Sequence, residues 1–143
     1  DKDNALELHF MGTAIPNLNK YGINHGRYKR GDFNKVMAKI KPSFIAILST
    51  CPETFSHTLT ESWKSGIPVI ATNLGALKER VNKTGGGWLV DYKNPQKIYD
   101  KILSIDEIDY LEKVENISKI NFKSLKEMTD EYNKIYGEMS DEL

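Results

Sequence analysis

The sequence predicts an α/β domain, a doubly wound parallel sheet with helices on both faces and further helices at the C-terminal end. Two short runs, 44–48 and 68–71, are apolar at every position, as expected for strands that are covered on both sides. The residues between them include a helical segment of about ten residues. A crossover of that kind joins parallel strands.

Three predicted elements precede the first apolar run. Residues 6–11 alternate between apolar and polar and end at a glycine, which predicts a strand entering a turn. The loop 13–24 is rich in turn-forming residues and is predicted to be exposed. Residues 33–40 carry apolar side chains at 33, 36, 37 and 40, which predicts an amphipathic helix capped by Asp32 and stopped by Lys41-Pro42.

The central helix has its own start and stop signals. Ser56 or Thr54 is placed to cap it, and Gly66 ends it before Pro68 forbids continuation. A turn and a short helix over 77–82 follow. The glycines at 85–87 have no GxGxxG or Walker pattern around them, so they predict a turn before a strand at 88–90.

Three amphipathic helices are predicted at the C-terminal end. Asn94 caps the first, with Pro95 at its first position. The second covers about 106–120, and the third starts near Phe122. The apolar stripe of the third runs through Leu125, Met128, Tyr132, Ile135, Tyr136 and Met139. It predicts a packing surface that is partly exposed or covered by a second copy.

Length and composition narrow the class of protein. The 143 residues suit one domain and are too few for a whole two-domain enzyme. A net charge of zero argues against a nucleic-acid partner. The single cysteine, Cys51, cannot form an internal disulfide and is expected to be a small, partly buried residue rather than a reactive thiol. Without a membrane-length apolar run or a leader, a cytoplasmic location is expected.

Glu53 and Glu61 bracket the start of the central helix. Eight helical steps would separate them by roughly 12 Å, and a turned loop would bring them closer. The amides of Phe55, Ser56 and His57 lie between them, and amides at a helix start suit phosphate. Each carboxylate suits hydroxyl groups, to which it offers only acceptors. The predicted ligand is therefore a sugar nucleotide.

The spacing of these residues resembles a known family. Glu53-x7-Glu61 is followed by Gly66-Ile-Pro-Val-Ile-Ala-Thr72 and then Gly75-Ala-Leu-Lys-Glu79. Over about 6–90 this resembles the C-terminal, nucleotide-sugar-binding domain of retaining GT-B glycosyltransferases of family 4, also called group 1. The resemblance implies a Rossmann-like fold truncated at its start. It makes 1–143 a single donor-binding fragment of a larger two-domain enzyme, without the upstream strand and helix that usually supply a basic residue.

The resemblance also implies roles for residues. Glu53, as the catalytic residue, would contact the hydroxyls of the donor sugar, Glu61 would contact the ribose, and the amides after Glu53 would hold the diphosphate. Glu79 matches a position whose side chain supports the loop. Where the family often has Glu-Gly-Phe-Gly, this chain has Thr54 and Ser56 in place of the glycines. Their side chains would either crowd the phosphates or donate hydrogen bonds to them.

Five further residues have two interpretations each. Arg27 and Tyr28 lie in 25–28, where the family has a strand whose end meets the nucleotide base. In one interpretation both residues bind the base. In the other they belong to a turn, with a solvated arginine and a half-buried tyrosine. Gly75 would let the backbone approach a ligand or serve an ordinary turn. His57 would touch substrate or pack against a neighbouring loop. Arg80 is expected to be a solvated helix residue rather than a phosphate clamp.

The predicted function is transfer of a hexose from a nucleoside-diphosphate sugar to a saccharide or lipid acceptor with retention, in polysaccharide biosynthesis. The resemblance implies that no metal or other cofactor is used, and no Asp-x-Asp pair is present. The acceptor site and any base would belong to the N-terminal domain, so the fragment alone is expected to be inactive. Peripheral membrane association is expected of the full enzyme. Two alternatives stay open: a non-catalytic Rossmann-like module for a phosphate ligand or partner, and half of a GT-B sugar-nucleotide epimerase.

Overall fold

The computed structural model describes residues 5–13 and 16–141, without the side chains of residues 16, 17, 30, 125 and 138–141. The strands are β1 (His9–Phe10), β2 (Ile23–Asn24), β3 (Ile45–Ile47), β4 (Val69–Thr72) and β5 (Gly87–Val90). The helices are α1 (Phe33–Ile40), α2 (His57–Lys64), α3 (Gly75–Thr84), α4 (Pro95–Leu103), α5 (Glu107–Ser118) and α6 (Leu125–Asp141). Two 3-10 turns cover Pro16–Lys20 and Arg30–Asp32.

The strands form two parallel ladders, β1–β2 and β3–β4–β5. The central strand β4 is buried at all four positions, as its unbroken apolar run predicts. The prediction of burial on both faces is wrong for the first apolar run, because Ala46 is exposed and Leu48 is 45% exposed. The physical reason is position: within the described residues, β3 is the edge of its three-stranded sheet.

Helices cover both faces of the larger sheet. Val69 and Ala71 of β4 pack on one side against Leu59 and Trp63 of α2, Leu77 and Val81 of α3, and Ile117 of α5. Ile70, Trp88 and Val90 point to the other side, where Ile98 and Ile102 of α4 lie. Neighbouring residues of β4 therefore face opposite layers, as the period of a strand requires. The predicted α/β class, with parallel strands between helices, is confirmed.

Some predicted element ends are confirmed and others are wrong. The bounds of α1 match the prediction, but Asp32 makes no side-chain cap bond and pairs with Lys35 instead, at 3.0 Å. The cap at Asn94 is confirmed, since its Oδ1 accepts a hydrogen bond from the amide of Lys97. The strand expected over 25–28 lies earlier, at Ile23–Asn24, because Gly26 at φ +68° turns the chain just after it.

Asp109 joins α5 to the neighbouring layer. Its Oδ2 accepts a hydrogen bond of 2.7 Å from Nε1 of Trp88 on β5, and its Oδ1 lies 3.1 Å from Nζ of Lys113. Lys101 of α4 is 3.7 Å away. Burial alone would raise the pKa of Asp109, but the hydrogen bonds from Trp88 and Lys113 and the charges of both lysines outweigh it, so that pKa is lowered.

The last helix presents apolar side chains to solvent. Met128, Tyr132, Ile135 and Tyr136 are exposed, and the two tyrosines stack with ring centroids 6.5 Å apart. The side chains of Leu125 and Met139, which complete the predicted stripe, lie outside the described ones. Among the described helices, none is long and apolar enough to cross a membrane.

Candidate functional site

The turn between β3 and α2 leaves several backbone donors without an acceptor. It follows the carboxyl end of β3 and ends at Ser56, whose backbone adopts φ +63° and ψ 90°. In the described part of the chain, nothing accepts a hydrogen bond from the amides of Phe55, Ser56 or His57. Amides at the start of a helix point outward and lie at the positive end of its dipole. The turn can therefore hold an anion.

The hydroxyl of Ser56 is buried at the same turn. The residue is 7% exposed, and its Oγ has no hydrogen-bond partner among the described residues. It does not cap α2, so the predicted capping role is wrong, and Thr54 is exposed. The positive φ of Ser56 directs its side chain away from the capping geometry, which needs an extended residue. A buried hydroxyl without a partner is rare in native proteins and calls for a ligand or water.

Glu53 is held in place by Ser49, which follows β3, and by the start of α3. Its Oε1 accepts a hydrogen bond of 2.5 Å from Oγ of Ser49, and the carbonyl of Ser49 accepts one of 2.8 Å from the buried Thr72 of β4. Its own carbonyl accepts from the amide of Ala76 at 3.0 Å. Both the side chain and the backbone of Glu53 are thus oriented. Sequence reasoning missed Ser49 and Thr72 in this role.

The loop that contains Glu53 explains why residue 75 is a glycine. It has φ +46°, and an added Cβ would lie 2.8 Å from the carbonyl oxygen of Glu53 and 3.1 Å from Cβ of Pro52. The close approach is therefore between two protein segments. The expectation that Gly75 lets its backbone approach a ligand stays a prediction.

Tyr28 lies beside the second carboxylate, whereas Arg27 bonds elsewhere. The hydroxyl of Tyr28 donates to Oε2 of Glu61 at 3.4 Å, a long hydrogen bond, and its ring packs on Phe33 with centroids 5.5 Å apart. Both Tyr28 and Glu61 are half-buried. Nε of Arg27 donates to Oγ1 of Thr13 at 2.9 Å, and Arg27 is exposed. The structure thus brings Tyr28, from far upstream, to the central helix.

Arg80 is not the solvated residue that the sequence predicted. Its Nη1 donates to the carbonyls of Phe55 and Ser56, at 2.6 and 3.0 Å, and its Nη2 donates to Oγ1 of Thr60 at 2.8 Å. Burial lowers the pKa of its guanidinium, which nevertheless stays charged because arginine starts so high. Glu79, expected to support the loop, is exposed, and its side chain makes no hydrogen bond to a described residue. Arg80 supports the loop instead.

The other predicted residues are at the surface. His57 is exposed and meets the ring of Phe55 with centroids 5.2 Å apart. Phe55 itself is 49% exposed. Cys51, expected to be partly buried, is exposed, because it precedes Pro52 in a loop that projects beyond β3. The described residues contain no group of three or more His, Cys, Asp or Glu side chains that could hold a metal.

Comparison with solved structures supports the fold. The chain is similar to Anabaena Alr3699/HepE, in complex with UDP-glucose (TM-score 0.60, 22% identity, 80% of this chain) and with UDP and glucose (TM-score 0.58, 21% identity, 78% of this chain). In both cases it covers 34% of the solved chain. The predicted Rossmann-like, GT-B type of fold is confirmed by this similarity.

Comparison of sequences gives the family. A curated protein of Escherichia coli K12, the putative colanic acid biosynthesis glycosyl transferase WcaC, is 31% identical over 81 residues, which are 57% of this chain and 20% of WcaC. The chain thus spans about a fifth of this relative and about a third of HepE. The family model described as glycosyl transferases group 1 matches residues 1–107. The chain belongs to that family.

Proposed function

We propose that this chain is the donor-binding domain of a glycosyltransferase that moves a hexose from a nucleoside-diphosphate sugar to a saccharide or lipid acceptor with retention. The observation that carries the proposal is the start of α2. There the unbonded amides of Phe55, Ser56 and His57 and the buried hydroxyl of Ser56 lie between Glu53 and Glu61. Such a helix start favours a diphosphate through both its N–H groups and its dipole.

The two carboxylates would hold the ends of the donor. An ionised carboxylate only accepts hydrogen bonds, so it selects hydroxyl groups. Glu53, oriented by Ser49, would bind the hydroxyls of the sugar, and Glu61 would bind those of the ribose. Tyr28 would then lie against the nucleoside, because it contacts Glu61. The contact of Arg27 with the nucleotide base stays a prediction.

The proposed chemistry is electrostatic. As the bond between the anomeric carbon and the diphosphate oxygen breaks, negative charge builds on the leaving diphosphate, and preorganised N–H groups stabilise it. Glu53 orients the sugar so that the acceptor oxygen bonds to the anomeric carbon on the face from which the diphosphate leaves. The proton of the acceptor hydroxyl passes to an oxygen of the leaving diphosphate. This chain supplies no nucleophile in the scheme. We propose that no metal or other cofactor takes part.

The acceptor and the cellular setting are proposed for a longer enzyme. The chain spans a fifth of WcaC and a third of HepE, so we place the acceptor site and any catalytic base in the remainder. On its own the chain would transfer no sugar. The name of WcaC, with its colanic acid biosynthesis, favours polysaccharide biosynthesis. A cytoplasmic enzyme that associates peripherally with a membrane would suit a lipid-linked acceptor.

Thermal shift with UDP, GDP, ADP and dTDP tests donor binding. We propose UDP as the nucleotide, because the similar HepE was solved with UDP-glucose. One nucleotide should raise the melting temperature, and Glu61→Ala should reduce that shift, because a hydrogen bond to a charged group contributes about 1.5–3 kcal/mol. Glu115→Ala is the matched control. Glu115 is exposed on α5, whose Asn116 bonds Gly85 at the opposite, amino-terminal edge of the sheet. No shift with any nucleotide, or an equal loss in the control, would contradict the proposal.

A further inference from the structure

Arg80 has an unusual set of partners for a residue on the face of a helix. One guanidinium nitrogen bonds the carbonyls of both Phe55 and Ser56, and another bonds Thr60. Its central carbon also lies 4.3 Å from the ring centroid of Phe55 and 5.3 Å from that of the buried Trp63. Arg80 therefore fastens the turn before α2 to the first residues of α2 and to the core beneath.

The bonded carbonyls decide where the neighbouring amides point. In a trans peptide the C=O and the following N–H point in opposite directions, and the described chain has no cis peptide bond. The carbonyl of Phe55 is paired with the amide of Ser56, and the carbonyl of Ser56 with the amide of His57. Because Arg80 holds both carbonyls on its own side, both amides face away from it.

We infer that Arg80 is the positioning residue of the phosphate-binding turn: it binds the backbone from behind and thereby directs the amides of Ser56 and His57 at the diphosphate. This inference rests on the proposed function. Arg80 does not touch the ligand. Its charge polarises each peptide through the carbonyl, which makes the opposite N–H a stronger donor.

The strained backbone of the turn shows why a fastening is needed. Ser56 is a non-glycine residue at φ +63°, a conformation that persists only where surrounding contacts hold it. It makes no side-chain cap bond of its own. Arg80 supplies the contacts, through a planar fork that a lysine cannot reproduce.

The test compares Arg80→Lys and Arg80→Ala with the control Lys78→Ala, which removes an exposed charge from the same helix. The affinities of the 143-residue chain for UDP and for uridine are measured by NMR titration, alongside its unfolding midpoint. A positioning residue for phosphate should leave uridine binding unchanged. UDP binding should weaken about tenfold or more in both Arg80 variants, the loss expected when a hydrogen bond to a charged group is impaired. The control should bind both as the wild type does.

The outcomes separate the two levels of the proposal. If the wild type binds none of UDP, GDP, ADP and dTDP more tightly than the matching nucleoside, the proposed function itself is wrong. If the wild type prefers UDP and Arg80→Lys matches it, charge alone suffices and the positioning role is overturned. An equal loss of affinity for UDP and for uridine would also overturn the positioning role, since it would indicate a general disturbance of the fold. Should Arg80→Ala fail to fold, the affinities of Arg80→Lys alone test the positioning role.

Discussion

Replacing Ser56 by alanine should stabilise the chain while weakening the proposed binding of UDP. The buried hydroxyl has no described partner, and an unsatisfied buried polar group costs about 1–3 kcal/mol of stability. Alanine removes that cost, so the free energy of unfolding should rise by about 1 kcal/mol or more. For a chain of this size the melting temperature should rise by about 3–4 °C per kcal/mol.

The same substitution should weaken binding of the ligand. If the hydroxyl donates to a phosphate oxygen, its loss should cost about 1.5–3 kcal/mol of binding, or roughly tenfold and more in affinity. Ser56→Gly separates the effect of the backbone conformation from the effect of the hydroxyl. It also removes the strain of the positive φ, which costs a non-glycine residue about 1–2 kcal/mol of stability. The greater entropy of glycine in the unfolded chain lowers stability by about 0.5–1 kcal/mol, which is less. Ser56→Gly should thus be at least as stable as Ser56→Ala.

Urea denaturation and calorimetric titration with UDP measure the two effects. Ser43→Ala is the matched control, because Ser43 is exposed in a loop and its replacement should change stability by less than about 0.5 kcal/mol. Loss of stability in Ser56→Ala would show that the hydroxyl is satisfied in the folded chain. Unchanged affinity for UDP would show that it does not meet the phosphate. Either result refutes the reasoning.

Three further predictions concern neighbouring parts of the structure. Ser49→Ala frees the carboxylate of Glu53, so affinity for UDP-glucose should fall toward that for UDP, and calorimetry showing equal losses for both would oppose this. Gly75→Ala should lower stability by at least about 1 kcal/mol, because its Cβ would lie 2.8 Å from the carbonyl of Glu53; an unchanged urea midpoint would argue otherwise. The lowered pKa of Asp109 stabilises the fold at pH values above the unfolded pKa of about 3.9, and this contribution is lost as pH falls through the folded pKa. Asp109→Asn should therefore show a flatter loss of stability as pH falls below about 4, and parallel profiles would count against it.

Local patterns predicted the elements that local physics determines. The spacing of apolar residues gave α1 its correct bounds, Phe33–Ile40, and the unbroken run of β4 predicted its full burial. Burial of β3 could not be predicted in the same way. An apolar run shows what a strand would tolerate on its two faces, whereas its exposure depends on which strands and helices lie beside it.

The candidate site was chosen from local signals, and the residues that support it were missed. The two glutamates and the amides between them follow from a helix start flanked by carboxylates. The side-chain hydrogen bonds of Arg80 reach residues 20 to 25 positions away, which no local pattern encodes. A signal was nevertheless present: Arg80 follows the buried Ala76 and Leu77 by four and three positions, the spacing of one helix face. An arginine on an inward face is rarely solvated.

The most direct test of the central claim is an NMR titration of the backbone amides with UDP. If the start of α2 cradles the diphosphate, the largest shifts should occur at the amides of Ser56 and His57, with smaller ones around Glu61. Uridine should leave the first two nearly unmoved. Large shifts confined to another surface, with those two amides unaffected by UDP, would contradict the account.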